Sequence, residues 1–121
     1  MVINRFEDIE AWKEARELVK EVYTVFSGCR DYGFKDQVQR AAISIMSNIA
    51  EGFDRGTNKE FNQFLTIARA SAAEVKSLCY AAKDVNYLTD AEFNSLHHEV
   101  AKISGLINGF MQYLRKTNRK F

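Results

Sequence analysis

An uninterrupted apolar repeat near the carboxyl end of the sequence restricts the fold of this chain more than any other feature. Its members alternate between steps of three and four residues: Phe93, Leu96, Val100, Ile103, Ile107, Phe110 and Leu114. This spacing places all seven on one face of an α-helix, as in the seam of a helical bundle. The sequence contains no proline, so no helix interior carries the strongest helix breaker. The repeat therefore predicts a long helix whose seam must be covered by other helices.

Three further helices are predicted upstream of this seam. Apolar residues recur at helical spacing over about residues 6–27, 35–53 and 58–86, and the seam helix covers about 90–116. Thr57 and Thr89 are predicted N-caps with acidic residues in the following turn, and Asn86 suits a left-handed helix end. Because the loops are short and no strand alternation occurs, residues 1–121 are predicted to form one all-α domain, an antiparallel up-down-up-down four-helix bundle.

The second predicted helix is unusual because it is apolar on two sides. Its central stretch, residues 41–50, carries no charge, yet a line of small polar and charged residues runs along the helix. We expect a self-association surface here, because small polar side chains permit close helix approach; an ordinary exposed stripe is the alternative. Arg40, Asn48 and Glu51 are expected to form a hydrogen-bonded network at this contact. The candidate residues are Arg40, Ile43, Met46, Ser47, Asn48, Ala50, Glu51 and Phe53.

A line of basic residues runs along the third predicted helix at seven-residue intervals. Arg69, Lys76 and Lys83 fall on one helix face, with Tyr80 among them. Such a line can follow a phosphate backbone, and the alternative is a solvated outer face. The carboxyl-terminal segment adds a basic cluster that includes Arg119 and Lys120. The nucleic-acid candidates, as contacts to phosphate rather than to bases, are Arg69, Lys76, Lys83, Arg115 and Lys116.

Composition and motifs argue against several classes of function. The formal net charge of +1 argues against a protein that binds nucleic acid mainly through its overall charge. His97 and His98 lack the glutamate three residues earlier that a di-metal bundle site needs, and Cys29 and Cys79 match no metal-ligand spacing. No glycine-rich phosphate loop occurs, and no segment has the apolar length of a membrane span or the pattern of a signal peptide. We predict a non-enzymatic, cytoplasmic protein with no catalytic residues, no cofactor, no metal and no membrane association.

Three stretches of the sequence resemble one bacterial protein family, and together they cover nearly the whole chain: FEDIEAWKEARELVKEVY, RAAISIMSNIAEGFDR and NKEFNQFLTIARASAAEV. That family is encoded by intervening sequences in 23S ribosomal RNA genes and is also called the ribosomal S-twenty-three family. A related branch is the accessory variability determinant of diversity-generating retroelements, which works with a reverse transcriptase. The resemblance implies an antiparallel four-helix bundle, commonly a homopentamer, with no known catalysis and a poorly defined role.

The resemblance also implies an RNA or nucleoprotein partner for some members. We therefore expect a homo-oligomer, with a pentamer implied by the resemblance, that associates with RNA or a nucleoprotein. The rival interpretation is a scaffold, or a retroelement accessory protein, that binds a protein partner such as a reverse transcriptase. The acidic first helix would then be the docking face, since residues 7–21 carry six acids against three bases.

Overall fold

Four α-helices pack side by side in the computed structural model, which describes residues 3–117. A short 3-10 turn at Phe6–Asp8 leads into α1 (Glu10–Val25), α2 (Tyr32–Phe53), α3 (Asn58–Asp84) and α4 (Asp90–Lys116). Consecutive helices contact each other, and α1 also contacts α4, which closes the bundle. No strand occurs within residues 3–117. The predicted all-α four-helix bundle is confirmed.

The helix ends predicted at Thr57, Asn86 and Thr89 are confirmed. Thr57 Oγ1 accepts a hydrogen bond from the backbone N–H of Glu60 at 3.2 Å, and Thr89 forms a capping box with Glu92. Asn86 follows the end of α3 with a backbone φ of 65°, the left-handed conformation expected there. Local side-chain chemistry therefore determines where α3 ends and where both α3 and α4 begin.

Two helix starts differ from the prediction. α1 begins at Glu10 rather than at residue 6, because Phe6–Asp8 form a 3-10 turn instead of α-helix. α2 begins at Tyr32 rather than near residue 35, because the side chain of Asp31 accepts a backbone hydrogen bond within the first turn at 3.2 Å. α1 also ends at Val25 rather than near residue 27, so the loop between α1 and α2 covers residues 26–31 instead of 28–34.

Apolar side chains from all four helices fill the core, and no polar or charged residue among residues 3–117 is fully buried. The predicted seam of α4 is buried except at one position. Met111 is buried and Phe110 is only half-buried, so Met111 takes the place expected for Phe110. In a straight α-helix, residues that follow a strict 3.5-residue repeat shift around the helix axis by about 20° per heptad. A second consecutive step of four residues, from Ile107 to Met111, returns the apolar side chain to the core side of α4.

Small residues bring α2 and α3 close together. A β-carbon added to Gly52 would lie 2.7 Å from Phe61 Cδ1 and 2.7 Å from Phe64 Cβ. Further along the same contact, Ser44 Oγ and Ser71 Oγ are 2.8 Å apart and form a hydrogen bond between the two helices. α2 therefore uses small side chains to pack closely against a helix of its own chain.

Two carboxylates, those of Glu14 of α1 and Glu99 of α4, lie close together at the contact between these helices. Burial and, next in importance, the hydrogen bond to Glu14 raise the pKa of Glu99 to about 7. The same hydrogen bond is the main cause that lowers the pKa of Glu14, whose Oε2 also lies 3.4 Å from Lys102 Nζ. Below about pH 7 the pair therefore holds a proton, with Glu99 as the donor and Glu14 as the acceptor.

Glu99→Gln should remove a pH dependence from the stability of the bundle. Because the pKa of Glu99 rises on folding from its ordinary 4.5 to about 7, its contribution to stability is full at low pH and is lost as the pH rises through 7. The amide keeps a hydrogen-bond donor and cannot ionise. We expect the free energy of unfolding of the variant to exceed that of the wild type, and this excess to be larger at pH 8 than at pH 5. The excess should differ between the two pH values by only about 1 kcal/mol, because solvent screens the partly exposed pair. Urea unfolding at pH 5 and at pH 8 measures this excess, and Glu10→Gln is an exposed control. An equal excess at the two pH values would contradict the raised pKa of Glu99.

Candidate nucleic-acid interface

Three of the predicted basic residues lie along the groove between α3 and α4. Arg69 donates a hydrogen bond from Nη1 to Asn108 Oδ1 at 2.9 Å, and Lys83 Nζ lies 4.6 Å from the centre of the Phe93 ring. Lys76 falls between them in seven-residue steps, about 10 Å along the helix axis from each. All three basic side chains are exposed. Because both contacts cross to α4, the basic line borders that helix and is not an isolated outer face of α3.

Arg115 extends this basic line at the carboxyl end of α4. It follows Asn108 by seven residues and therefore lies on the side of α4 that faces α3. Nearby, Asn58 Nδ2 donates hydrogen bonds to the carbonyl oxygens of Leu114 at 3.0 Å and of Thr117 at 2.7 Å. These bonds tie the end of α4 to the start of α3 and fix the position of the helix turn that carries Arg115.

Four of the five nucleic-acid candidates thus share one side of the bundle, and we call them the basic strip: Arg69, Lys76, Lys83 and Arg115. The fifth candidate, Lys116, is exposed at the end of α4, about 100° around the helix from its neighbour in the strip. Arg119 and Lys120, which are predicted to belong to the carboxyl-terminal basic cluster, lie outside the described residues. The fold therefore brings together cations from two helices that are far apart in the sequence.

The side chains between the cations of the basic strip are neutral. They include Thr66, Ala73 and Tyr80 on α3, and Ala101, Ser104 and Asn108 on α4. Two acids of the same helices face other neighbours: Glu74 accepts a hydrogen bond from Gln37 of α2 at 3.3 Å, and Glu99 is paired with Glu14 of α1. Acids at the turn between α3 and α4 mark the end of the strip. A local positive field of this kind attracts phosphate although the formal net charge of the chain is only +1.

The predicted self-association surface on α2 is partly covered by its own chain. Met46 and Phe53 pack against the core, and the Phe53 ring meets Phe61 of α3 edge to face at 6.2 Å between centres. Met46 and Phe53 are therefore partly covered within one chain, because neighbouring helices reach them, and their place in a contact between copies stays a prediction. The rest of the face comprises exposed Ile43, Ser47 and Glu51, and half-buried Ala50.

Two polar residues of the same surface have partners within α2. Arg40 Nε donates to Asp36 Oδ2 at 2.7 Å, and Asn48 Nδ2 donates to the carbonyl oxygen of Ser44 at 2.8 Å and to its Oγ at 3.0 Å. In the network expected between Arg40, Asn48 and Glu51, the first two residues thus bond along their own helix. Asn48 instead donates to Ser44, whose hydroxyl is hydrogen-bonded to that of Ser71 on α3.

Two α4 residues at the basic strip were not assigned to this site from the sequence. Asn108 accepts the hydrogen bond from Arg69, and His97 Nε2 lies 3.3 Å from the hydroxyl oxygen of Tyr80. Neither contact is visible in the sequence, because both depend on how α4 is rotated about its own axis. The one available signal is the seven-residue spacing of Asn108 and Arg115, which puts them on one helix face.

Residues 3–117 contain no group of three or more His, Cys, Asp or Glu side chains that could hold a metal ion. None of the four helices is both long and apolar enough to cross a membrane. Burial raises the pKa of the Cys79 thiol to about 11, which keeps it in the less reactive protonated form.

Comparison with known proteins relates this bundle to one family. A family described as "23S rRNA-intervening sequence protein" matches residues 7–109, which is most of the chain. The chain belongs to this family. The resemblance noted in the sequence is thereby confirmed for the 23S rRNA-intervening sequence family, while the relation to retroelement accessory proteins stays a prediction.

A solved structure has the same fold as this 23S rRNA-intervening sequence protein. It is a crystal structure of a protein with unknown function from the S23 ribosomal protein family of Bacteroides thetaiotaomicron VPI-5482. The two structures align with a TM-score of 0.79 at 19% sequence identity, over 84% of this chain and 98% of the other. At this identity the likeness shows the fold alone. No curated protein sequence matches this 23S rRNA-intervening sequence protein significantly.

Proposed function

We propose that this protein is a non-catalytic, cytoplasmic protein that binds RNA, alone or within a nucleoprotein, through the basic strip. The observation that carries the proposal is the alignment of four exposed cations on one side of the bundle, with neutral side chains between them. A family name that refers to 23S rRNA intervening sequences favours RNA over other polyanions. The overall charge is not the driving force, because the formal net charge is only +1.

The chemistry of the basic strip suits contacts to phosphate. Lys76 is an exposed point charge, and the Arg69 guanidinium, which has five N–H donors, uses one of them for Asn108. The remaining donors match the oxygens of a phosphate group. The bond to Asn108 also restricts the guanidinium before RNA binds, which lowers the entropy lost on binding. Contacts of this kind position an RNA strand without reading its bases.

A filter-binding titration of a single-stranded RNA over a range of salt concentrations tests this function. Each phosphate contact on a single strand contributes about −0.7 to the slope of log affinity against log salt concentration. Contacts from three or four cations of the strip should therefore give a slope between roughly −2 and −3. Absence of binding at low salt, or an affinity that does not respond to salt, would refute the proposal.

We also propose that the protein assembles into a homo-oligomer through the exposed part of α2, with a pentamer as the expected state. Ile43 on α2 is 38% exposed, and Ile67 on the adjoining helix α3 is 49% exposed. On their own helices, Ile43 is followed four residues later by Ser47, and Ile67 by Ser71. Such small side chains leave room for a second copy to approach closely. Apolar surface on both helices therefore supports a contact between copies.

Ile43→Lys should dissociate this assembly and leave the bundle folded. A lysine at a subunit contact places an unpaired charge where it loses its water, whereas a lysine on an exposed helix surface is tolerated. By light scattering, we expect the wild type to have a multiple of the 13.9 kDa chain mass and the variant to have the mass of one chain. Tyr32→Lys, at a 70% exposed position, is the control that should remain assembled. A monomeric wild type, or a variant of unchanged mass, would contradict the proposed contact.

A protein-interaction scaffold is the second candidate function, and an apolar groove favours it. The groove has a volume of about 530 Å³ and lies between the amino-terminal segment and α4. Leu106 and Phe110 contribute to its apolar wall, and Asp8 and Glu10 line it on the acidic side. A basic amphipathic helix of a protein partner would fit this combination. An enclosing ribosomal RNA gene would favour RNA binding, a neighbouring reverse transcriptase gene would favour a retroelement accessory protein, and an unrelated operon would favour the scaffold.

A further inference from the structure

A cluster of three rings lies within the basic strip. The ring centres of Tyr80 and Phe93 are 5.0 Å apart, those of Tyr80 and His97 are 5.7 Å apart, and those of Phe93 and His97 are 5.4 Å apart. Phe93 is buried, whereas Tyr80 is 49% exposed. The cluster therefore has a buried base and presents the Tyr80 ring to solvent.

The ring of Tyr80 is held in one orientation. Its hydroxyl is hydrogen-bonded to His97 Nε2 at 3.3 Å, and its ring meets that of His97 edge to face at an interplanar angle of 82°. Against Phe93 the ring is tilted by 59°. Because these contacts restrict both side-chain torsions, the exposed surface of the ring can bind another ring with little further loss of conformational entropy.

Two cations of the basic strip flank this ring. Tyr80 follows Lys76 by four residues and precedes Lys83 by three, so each cation lies about one helical turn away on the same side of α3. The Lys83 ammonium is placed beside the cluster by its contact with the Phe93 ring at 4.6 Å. Proteins that bind single strands combine these two elements, cations that contact the backbone and an aromatic ring that receives a base.

We propose that Tyr80 is a base-stacking site for single-stranded RNA, an inference that rests on the RNA-binding function proposed above. An unpaired base stacks on the exposed ring surface, while Lys76 and Lys83 contact the phosphates on either side. A base inside a duplex has no free face to offer, so the site distinguishes single-stranded from double-stranded RNA. Every base has a π-face, and the site therefore accepts all four bases.

Tyr80→Leu tests the site, because it keeps apolar cover over Phe93 and removes the ring. The probes are a short single-stranded RNA that carries one 2-aminopurine and a blunt RNA duplex of the same length. With the wild type we expect binding of the single strand to quench 2-aminopurine fluorescence. With Tyr80→Leu we expect roughly tenfold weaker binding of the single strand, a loss of the quenching and an unchanged affinity for the duplex. The salt slope should also stay unchanged, because the substitution removes no charge.

Two further variants serve as controls. Tyr80→Phe keeps the ring and loses only the hydroxyl, so it should retain the quenching and most of the affinity for the single strand. Tyr23→Leu removes a 42% exposed ring from α1, outside the basic strip, and should bind like the wild type. A loss of affinity in Tyr23→Leu equal to that in Tyr80→Leu would contradict the site, since any exposed ring would then have the same effect.

The outcomes separate the stacking site from the function on which it rests. If the wild type binds neither RNA at low salt, the proposed function and the stacking site both fail. If the wild type binds with a salt-dependent affinity and Tyr80→Leu changes neither affinity nor quenching, only the stacking site fails. Thermal unfolding followed by circular dichroism shows whether Tyr80→Leu is folded. If it is not, the wild type decides, because a 2-aminopurine that remains unquenched in the complex contradicts stacking.

Discussion

Gly52→Ala should destabilise the bundle by about 2 kcal/mol, although alanine forms helix better than glycine. The added β-carbon would lie 2.7 Å from Phe61 Cδ1 and 2.7 Å from Phe64 Cβ. The Phe61 ring can turn to some extent, but Phe64 Cβ is bonded directly to the backbone of α3. The two helices must therefore separate, which loosens the buried contacts of Ile45 and Ile49 on α2. Urea unfolding followed by circular dichroism measures the loss.

Gly109→Ala is a matched control for which we expect the opposite sign. It introduces the same methyl group into the interior of α4, where a β-carbon would meet nothing within 4 Å. Only the intrinsic helix preference then changes, so the free energy of unfolding should rise by about 0.5–1 kcal/mol. Similar effects of Gly52→Ala and Gly109→Ala, in either direction, would contradict the close approach of α2 and α3.

Replacing Arg69, Lys76 and Lys83 together by glutamine should weaken binding of single-stranded RNA about 100-fold at low salt. Each substitution removes one phosphate contact worth roughly 1 kcal/mol, and glutamine keeps a polar side chain of similar length. The slope of log affinity against log salt should become less negative by about 2, since three contacts of about 0.7 each are lost. Filter binding across a salt series measures the affinity and the slope together.

The control for this variant removes the same kinds of charge from another helix. Lys13, Arg16 and Lys20 are exposed on α1, and their replacement by glutamine lowers the net charge by the same three units. We expect this variant to keep most of the affinity and the wild-type salt slope. If both triple variants weaken binding equally, overall charge drives the interaction and the basic strip is not the site.

Much of the fold can be predicted from local patterns, whereas contacts between distant parts of the chain cannot. Thr57 and Thr89 cap their helices through neighbours three residues away, so a short stretch of sequence is enough to find them. Asp31 caps α2 in the same local way, because its Oδ1 accepts from the backbone N–H of Phe34 three residues later. The bond from the Tyr87 hydroxyl to Asp31 Oδ2 at 2.8 Å joins distant parts of the chain, and no local pattern reveals it. The burial of Met111 likewise depends on how far α4 has rotated over its whole length.

The candidate site can be predicted along one helix and not between helices. The seven-residue spacing of Arg69, Lys76 and Lys83 is visible in the sequence and places them on one side of α3. The ring cluster of Tyr80 and His97 depends on the rotation of α4 against α3, which the sequence pattern does not define. On α2, two apolar faces are visible in the sequence, but the pattern does not show that the chain's own helices cover part of the second face.

Photo-crosslinking tests most directly the central claim that RNA contacts the groove between α3 and α4. The protein is irradiated with a single-stranded RNA that contains 4-thiouridine, and the crosslinked peptides are identified by mass spectrometry. We expect crosslinks within residues 69–83 of α3 and 93–115 of α4, and none within the acidic helix α1. Crosslinks confined to α1 or to the exposed surface of α2, or none above the background without RNA, would contradict the claim.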